Sequence, residues 1–128
     1  MRSFPLFSEL EAERDKVNAA FHKNVEPQLL ERLKEFGFVQ PDPAVPTKLV
    51  LAEQSTDNLY HLSVNRFSVT VHFHHVKNGV VKLICDISNF ALNTHNVMNI
   101  IINCIDSWLQ YGVVYDYEKA QDFQLGRH

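Results

Sequence analysis

Residues 58–90 read NLYHLSVNRFSVTVHFHHVKNGVVKLICDISNF, and the fold turns on how this stretch pairs with itself. Phe67, Val69, Val71 and Phe73 alternate with Ser68, Thr70, His72 and His74, the period of two that gives a strand one apolar and one polar face. Downstream the chain reverses at Lys77-Asn78-Gly79. A two-residue turn at Asn78-Gly79 sets Phe73 against Ile84 and Val71 against Asp86, so the apolar faces disagree. A three-residue loop, with Gly79 in the positive-φ bulge position, sets Phe73 against Leu83, Val71 against Cys85 and Val69 against Ile87. A slip of one residue exchanges the faces of a strand, so burial selects the second pairing.

Upstream, a two-residue turn at Asn65-Arg66 pairs Val64 with Phe67, Leu62 with Val69 and Tyr60 with Val71. Arginine adopts positive φ poorly, which weighs against this turn but not against the pattern. Both hairpins then agree on one apolar face: Tyr60, Leu62, Val64, Phe67, Val69, Val71, Phe73, Leu83, Cys85 and Ile87. The other face carries His61, Ser63, Ser68, Thr70, His72, His74, Lys82, Asp86 and Ser88. A short strand over 48–53, followed by the turn residues Gln54-Ser55-Thr56-Asp57, completes a four-stranded antiparallel meander.

Helices flank this sheet. Ser8-Glu9-Leu10-Glu11 reads as a capping box opening a helix through Val17, Ala20, Phe21 and Val25. Pro27 kinks or splits it, and Leu29, Leu30, Leu33 and Phe36 continue it as far as a cap at Gly37. Gln40 to Thr47, with Pro41, Pro43 and Pro46, reads as an extended, stiff strap. Asn93-Thr94 caps a last, very apolar helix that ends at Gly112, and Val113-Val114 suggests a further short strand. The expected fold class is α+β: an N-terminal helix kinked or split at Pro27, the four-stranded meander, and a C-terminal helix, with the helices on one sheet face. At 128 residues the chain is expected to be one domain, with residues 1–7 and 115–128 as loose or partner-binding tails.

Composition narrows the function by exclusion. A net charge of -3 and the lack of a Lys/Arg cluster argue against a nucleic-acid surface. No apolar run approaches the ~20 residues of a membrane span, and no leader pattern follows Met1, so a cytosolic protein is expected. The two cysteines, Cys85 and Cys104, fall at apolar positions and read as buried thiols. With four glycines there is no phosphate-cradling loop and no nucleotide fingerprint, so no cofactor is expected and the case for an enzyme is thin.

Two candidate surfaces remain. The polar sheet face gathers His61, Thr70, His72, His74 and Asp86; imidazoles with a carboxylate suit zinc, but a flat, wet face gives no enclosed cavity, and no metal is the favoured expectation. The expected pairing places His61 and Asp86 on either side of Thr70, as diagonal neighbours of His72. The tail offers Tyr115, Asp116, Tyr117, Glu118, Asp122 and Phe123, acids for steering among aromatic anchors. These features favour a small non-enzymatic protein-binding module, an inhibitor, immunity-type protein or adaptor, whose partner presents a basic surface. The alternative is a metal- or small-ligand-binding protein that uses the His61/His72/His74/Asp86 face. Ile100, Ile101 and Ile102 point in three directions around the last helix, and a homodimer would bury that excess.

Overall fold

The computed structural model describes residues 7–88 and 90–116. In chain order it contains α1 (Phe7–Ala20), a π-helical turn (Phe21–Val25) and α2 (Glu26–Phe36), then β1 (Lys48–Ala52), β2 (Leu59–Val64), β3 (Val69–His75), β4 (Val80–Ile87) and α3 (Thr94–Tyr111). The four strands form one antiparallel sheet in the order β1-β2-β3-β4, the expected α+β meander. Its buried face carries Tyr60, Leu62, Val64, Val69, Val71 and Phe73, packed with Phe21, Leu29 and Leu33 from the N-terminal helical segments and Val97, Ile101 and Ile105 from α3. Both helical segments therefore cover one face.

At Pro27 the N-terminal helical run changes element, α1, the π turn and α2 following without a gap, and the proline stands in the first turn of α2. The π turn before it was not anticipated. Val17, Phe21, Val25, Leu29 and Leu33 recur at intervals of four. On an α-helix such a stripe drifts by about 40° per step. One wider turn, closed by the Glu26 N–H on the Phe21 carbonyl, takes up part of that drift and keeps Phe21, Leu29 and Leu33 buried together. Helix α1 already includes Phe7 and Ser8, so Ser8 lies within its described span instead of capping it. Gly37 ends α2 at φ 135°, its N–H donating to the Leu33 and Lys34 carbonyls. Asn93 caps α3 by accepting from the Asn96 N–H at 2.8 Å, and Gly112 closes it in the left-handed region.

Both hairpins depart from the expected register. The β2–β3 reversal is centred on Arg66-Phe67, one residue later than expected, with the Asn65 N–H donating to the Ser68 carbonyl at 2.7 Å. Tyr60 now faces Phe73, Leu62 faces Val71 and Val64 faces Val69. A slip of two preserves the faces, and no non-glycine residue among those described takes positive φ, so arginine escapes the strain of the earlier turn. The cost falls on Phe67, which was expected in the core and is exposed in the turn.

The β3–β4 hairpin keeps the expected pairs Val69–Ile87 and Val71–Cys85 at its far end. Toward the turn it shifts by one: Phe73 faces Lys82 instead of Leu83, His72 faces Leu83, and His75 faces Val80 across a loop that starts at Val76. Gly79 does adopt positive φ, at 73°. A bulge at Ile84 reconciles the two ends. Ile84 is fully buried and Leu83 is 42% exposed, the reverse of their expected roles. Leu83-Ile84-Cys85 is an uninterrupted apolar run, so alternation alone does not say which residue leaves the core.

Two smaller expectations also fail. The 40–47 segment is folded into successive turns, with the Asp42 side chain accepting from the Ala44 N–H at 3.0 Å and the Val45 N–H reaching the Asp42 carbonyl. Val39, just before it, forms a bridge with Val50 and extends the sheet by one residue. Val113 and Val114 form no strand; the Ser107 hydroxyl holds the Val113 carbonyl at 2.8 Å instead. No described helix is long and apolar enough to cross a membrane.

Candidate functional site

The polar sheet face is built in rows. Val39, Val50, His61, His72 and Leu83 stand side by side across the sheet, each directly opposite the next. The adjoining rows are Ala52, Leu59, His74 and Val81, and then Lys48, Ser63, Thr70 and Asp86. Thr70 thus lies between Ser63 and Asp86, not between His61 and Asp86, and His61 is a direct neighbour of His72. The His61 and His74 rings meet at 3.9 Å between centroids, tilted by 33°. Burial, then the nearby His74 and His72, hold the His61 imidazole below its ordinary pKa. No group of three His, Cys, Asp or Glu side chains among the described residues is arranged to hold a metal ion. The shifted register also brings Leu83 and Val81 onto this face, making it more apolar than the alternation suggests.

Of the tail residues, Tyr115 is half-buried against the core and Asp116 is exposed. Tyr117, Glu118, Asp122 and Phe123 lie outside the described residues. The Cys104 thiol donates to the Tyr115 carbonyl at 3.7 Å, which anchors this strap over β4 and α3. The Cys85 thiol hydrogen-bonds to Cys104; that contact, with burial, pushes Cys85 well up, while the same hydrogen bond draws Cys104 down. Both are buried thiols, as the sequence suggested.

A third surface has no signature in the sequence. Phe36 at the end of α2, Leu51 on β1, and Ile102, Ile105 and Leu109 on α3 surround a cavity of about 480 Å³. Phe36 and Leu109, at 47% and 55% exposed, stand at its sides. Glu53 and Asp106 supply carboxylates to its lining, whose described residues include no Lys or Arg. Burial alone would raise the Glu53 pKa. Hydrogen bonds from the Thr56 and Tyr60 hydroxyls, each 2.6 Å, and from Asn58, together with His75 nearby, outweigh it and lower the pKa. The Tyr60 hydroxyl is correspondingly pushed up by burial and by its bond to Glu53. Glu53 is therefore a fixed anion at neutral pH. Its position depends on Tyr60, whose ring is in the core and whose hydroxyl reaches the groove; only the assembled α2–β1–α3 corner shows this.

His22, in the π turn, is a fourth feature. Its Nδ1 lies 2.6 Å from a Glu26 carboxylate oxygen and its Nε2 lies 2.9 Å from the Arg66 carbonyl. Both partners are acceptors, so both ring nitrogens must donate and the doubly protonated ring fits the site. Its edge meets the stacked pair Phe21 and Phe90, whose centroids are 3.9 Å apart. The contact ties the π turn to the β2–β3 loop and is structural.

No protein-family model, no curated protein and no solved structure matches the chain.

Proposed function

We propose that this chain is a non-enzymatic module that acts by binding another protein through the α2–β1–α3 groove. One observation carries the reading: an apolar cavity of about 480 Å³ flanked by exposed Phe36 and Leu109, with the anions Glu53 and Asp106 in its lining. Large exposed apolar side chains around a concavity characterise recognition surfaces. The complementary occupant is a segment that presents an apolar anchor beside Lys or Arg. The net charge of -3 and the acids Asp116, Glu118 and Asp122 favour encounter with such a basic partner. In this reading the protein serves as an inhibitor, an immunity-type protein or an adaptor in the cytosol, and Tyr115, Tyr117 and Phe123 add aromatic contacts from the tail.

The test is affinity purification with the wild-type chain, the Leu109→Glu variant and a chain ending at Asp116 as parallel baits. Leu109 is exposed, and thermal unfolding of the variant checks that the fold is intact. A partner retained by wild type and lost with Leu109→Glu supports the groove; loss with the truncated bait alone assigns binding to the tail. Recovery of a metal or small molecule in place of any protein overturns the reading.

A further inference from the structure

The outer sheet face opposes the helices and adjoins the groove at Ala52, on the β1 edge. Among the described residues it carries two formal charges, Lys48 on β1 and Asp86 on β4, in the same row at opposite edges of the sheet. Between and beside them stand Val50, Ala52, Leu59, Val81 and Leu83, with His61, His72 and His74 at the centre. Now place a two-fold axis parallel to the strands, between β2 and β3, and lay a second copy on this face. Rotation exchanges β1 with β4 while keeping each row at its own height. Lys48 then opposes the second copy's Asp86, and Asp86 its Lys48. Val50 opposes Leu83, Ala52 opposes Val81, Ser63 opposes Thr70, and His61 opposes His72. In the Ala52 row Leu59 meets the second copy's His74, a mixed pair, while the charged, apolar and hydroxyl pairs each meet a partner of matching character.

We infer that this face is a self-complementary surface on which two copies of the chain pack sheet to sheet, with Lys48 and Asp86 setting the register. Aligned sheets cross at about 30°. At the outer strands, some 7 Å from the axis, that crossing displaces opposing rows by about 4 Å, which a lysine side chain spans. The imidazoles at the centre are compatible with close approach in their neutral form, which burial and mutual proximity favour at His61. Four strands about 4.8 Å apart and five residues long offer roughly 300 Å² of flat face per copy, well below the about 800 Å² per partner of a standard stable interface, so the dimer is a weak, transient one. The surface differs from α3, whose Ile100 and Ile102 are half-buried against the core of their own chain.

Sedimentation velocity of the full chain, up to about 0.5 mM, tests the inference. The expected result is a concentration-dependent monomer–dimer equilibrium. Lys48→Asp alone, or Asp86→Lys alone, places like charges together twice in each dimer and should weaken association about tenfold. Mixing the two variants in equal amounts, or combining both changes in one chain, restores both pairs and should restore the wild-type affinity. Lys48 and Asp86 are exposed, and thermal unfolding of each variant confirms that the monomer is intact. Leu109→Glu, in the groove, should leave the equilibrium unchanged, which separates this inference from the proposed function. A wild-type monomer throughout the concentration range overturns it. So does a dimer that single charge reversal leaves intact, that mixing fails to restore, or that Leu109→Glu dissolves.

Discussion

Truncating Ile84 to alanine removes three carbon atoms from a side chain with no exposed surface. At about 0.8 kcal/mol per buried methylene the lost transfer energy is about 2.4 kcal/mol, and the cavity left behind brings the total to about 3 kcal/mol. Leu83, next to it, is 42% exposed and stands on the outer face, so Leu83→Ala should cost less than about 1 kcal/mol. Urea unfolding, compared at constant slope, measures both costs, and for a domain of this size the Ile84 variant should also melt about 10 °C lower. The comparison tests the bulge itself, because the unbulged pairing of Phe73 with Leu83 inverts the roles of the two residues. If Leu83→Ala proves as costly as Ile84→Ala, or costlier, β4 carries no bulge at Ile84.

His22 gives a test by pH. Although burial lowers its pKa, the Arg66 carbonyl and Glu26 raise it above the ordinary 6.5, so its contribution is fully present below 6.5 and is lost as pH rises through the raised value. The stability gap between wild type and His22→Ala should shrink as pH rises from below 6.5, and a gap that widens refutes the assignment. For the thiols, Cys104 is the more acidic, so limited alkylation of the native protein followed by peptide mapping should find Cys104 modified before Cys85; the opposite order refutes their hydrogen-bond roles.

What the sequence made legible follows from which forces are local. Alternation placed Tyr60, Leu62, Val64, Val69, Val71, Phe73, Cys85 and Ile87 on the buried face, and all eight are there. Caps at Gly37, Asn93 and Gly112 were readable because each depends on one residue's own chemistry. Turn positions were not: a two-residue slip leaves the face pattern unchanged, so Phe67 moved from core to turn without disturbing the alternation. Ile84 was lost for a related reason, since three consecutive apolar residues contain no alternation to read. The π turn is hinted at by the four-residue spacing from Val17 to Leu33, a signal that an α-helical reading passes over. The groove depends on residues from Phe36 to Leu109, brought together only when α2 and α3 meet β1, and no short motif encodes it.

The order of strands also bears on how quickly the chain reaches its native state. Each strand pairs with its neighbour in sequence, so the sheet assembles through four- to six-residue reversals whose closure entropy is small. The sheet buries little until its inner face is covered, and covering it requires distant partners: His22 on the Arg66 carbonyl, 44 residues away, and Thr94 on Gln28, 66 residues away. We expect the docking of the two helical segments onto the sheet to be the step that limits folding. With each strand paired to its sequence neighbour, the chain is expected to fold faster than β-sandwiches whose strands must find partners far along the sequence.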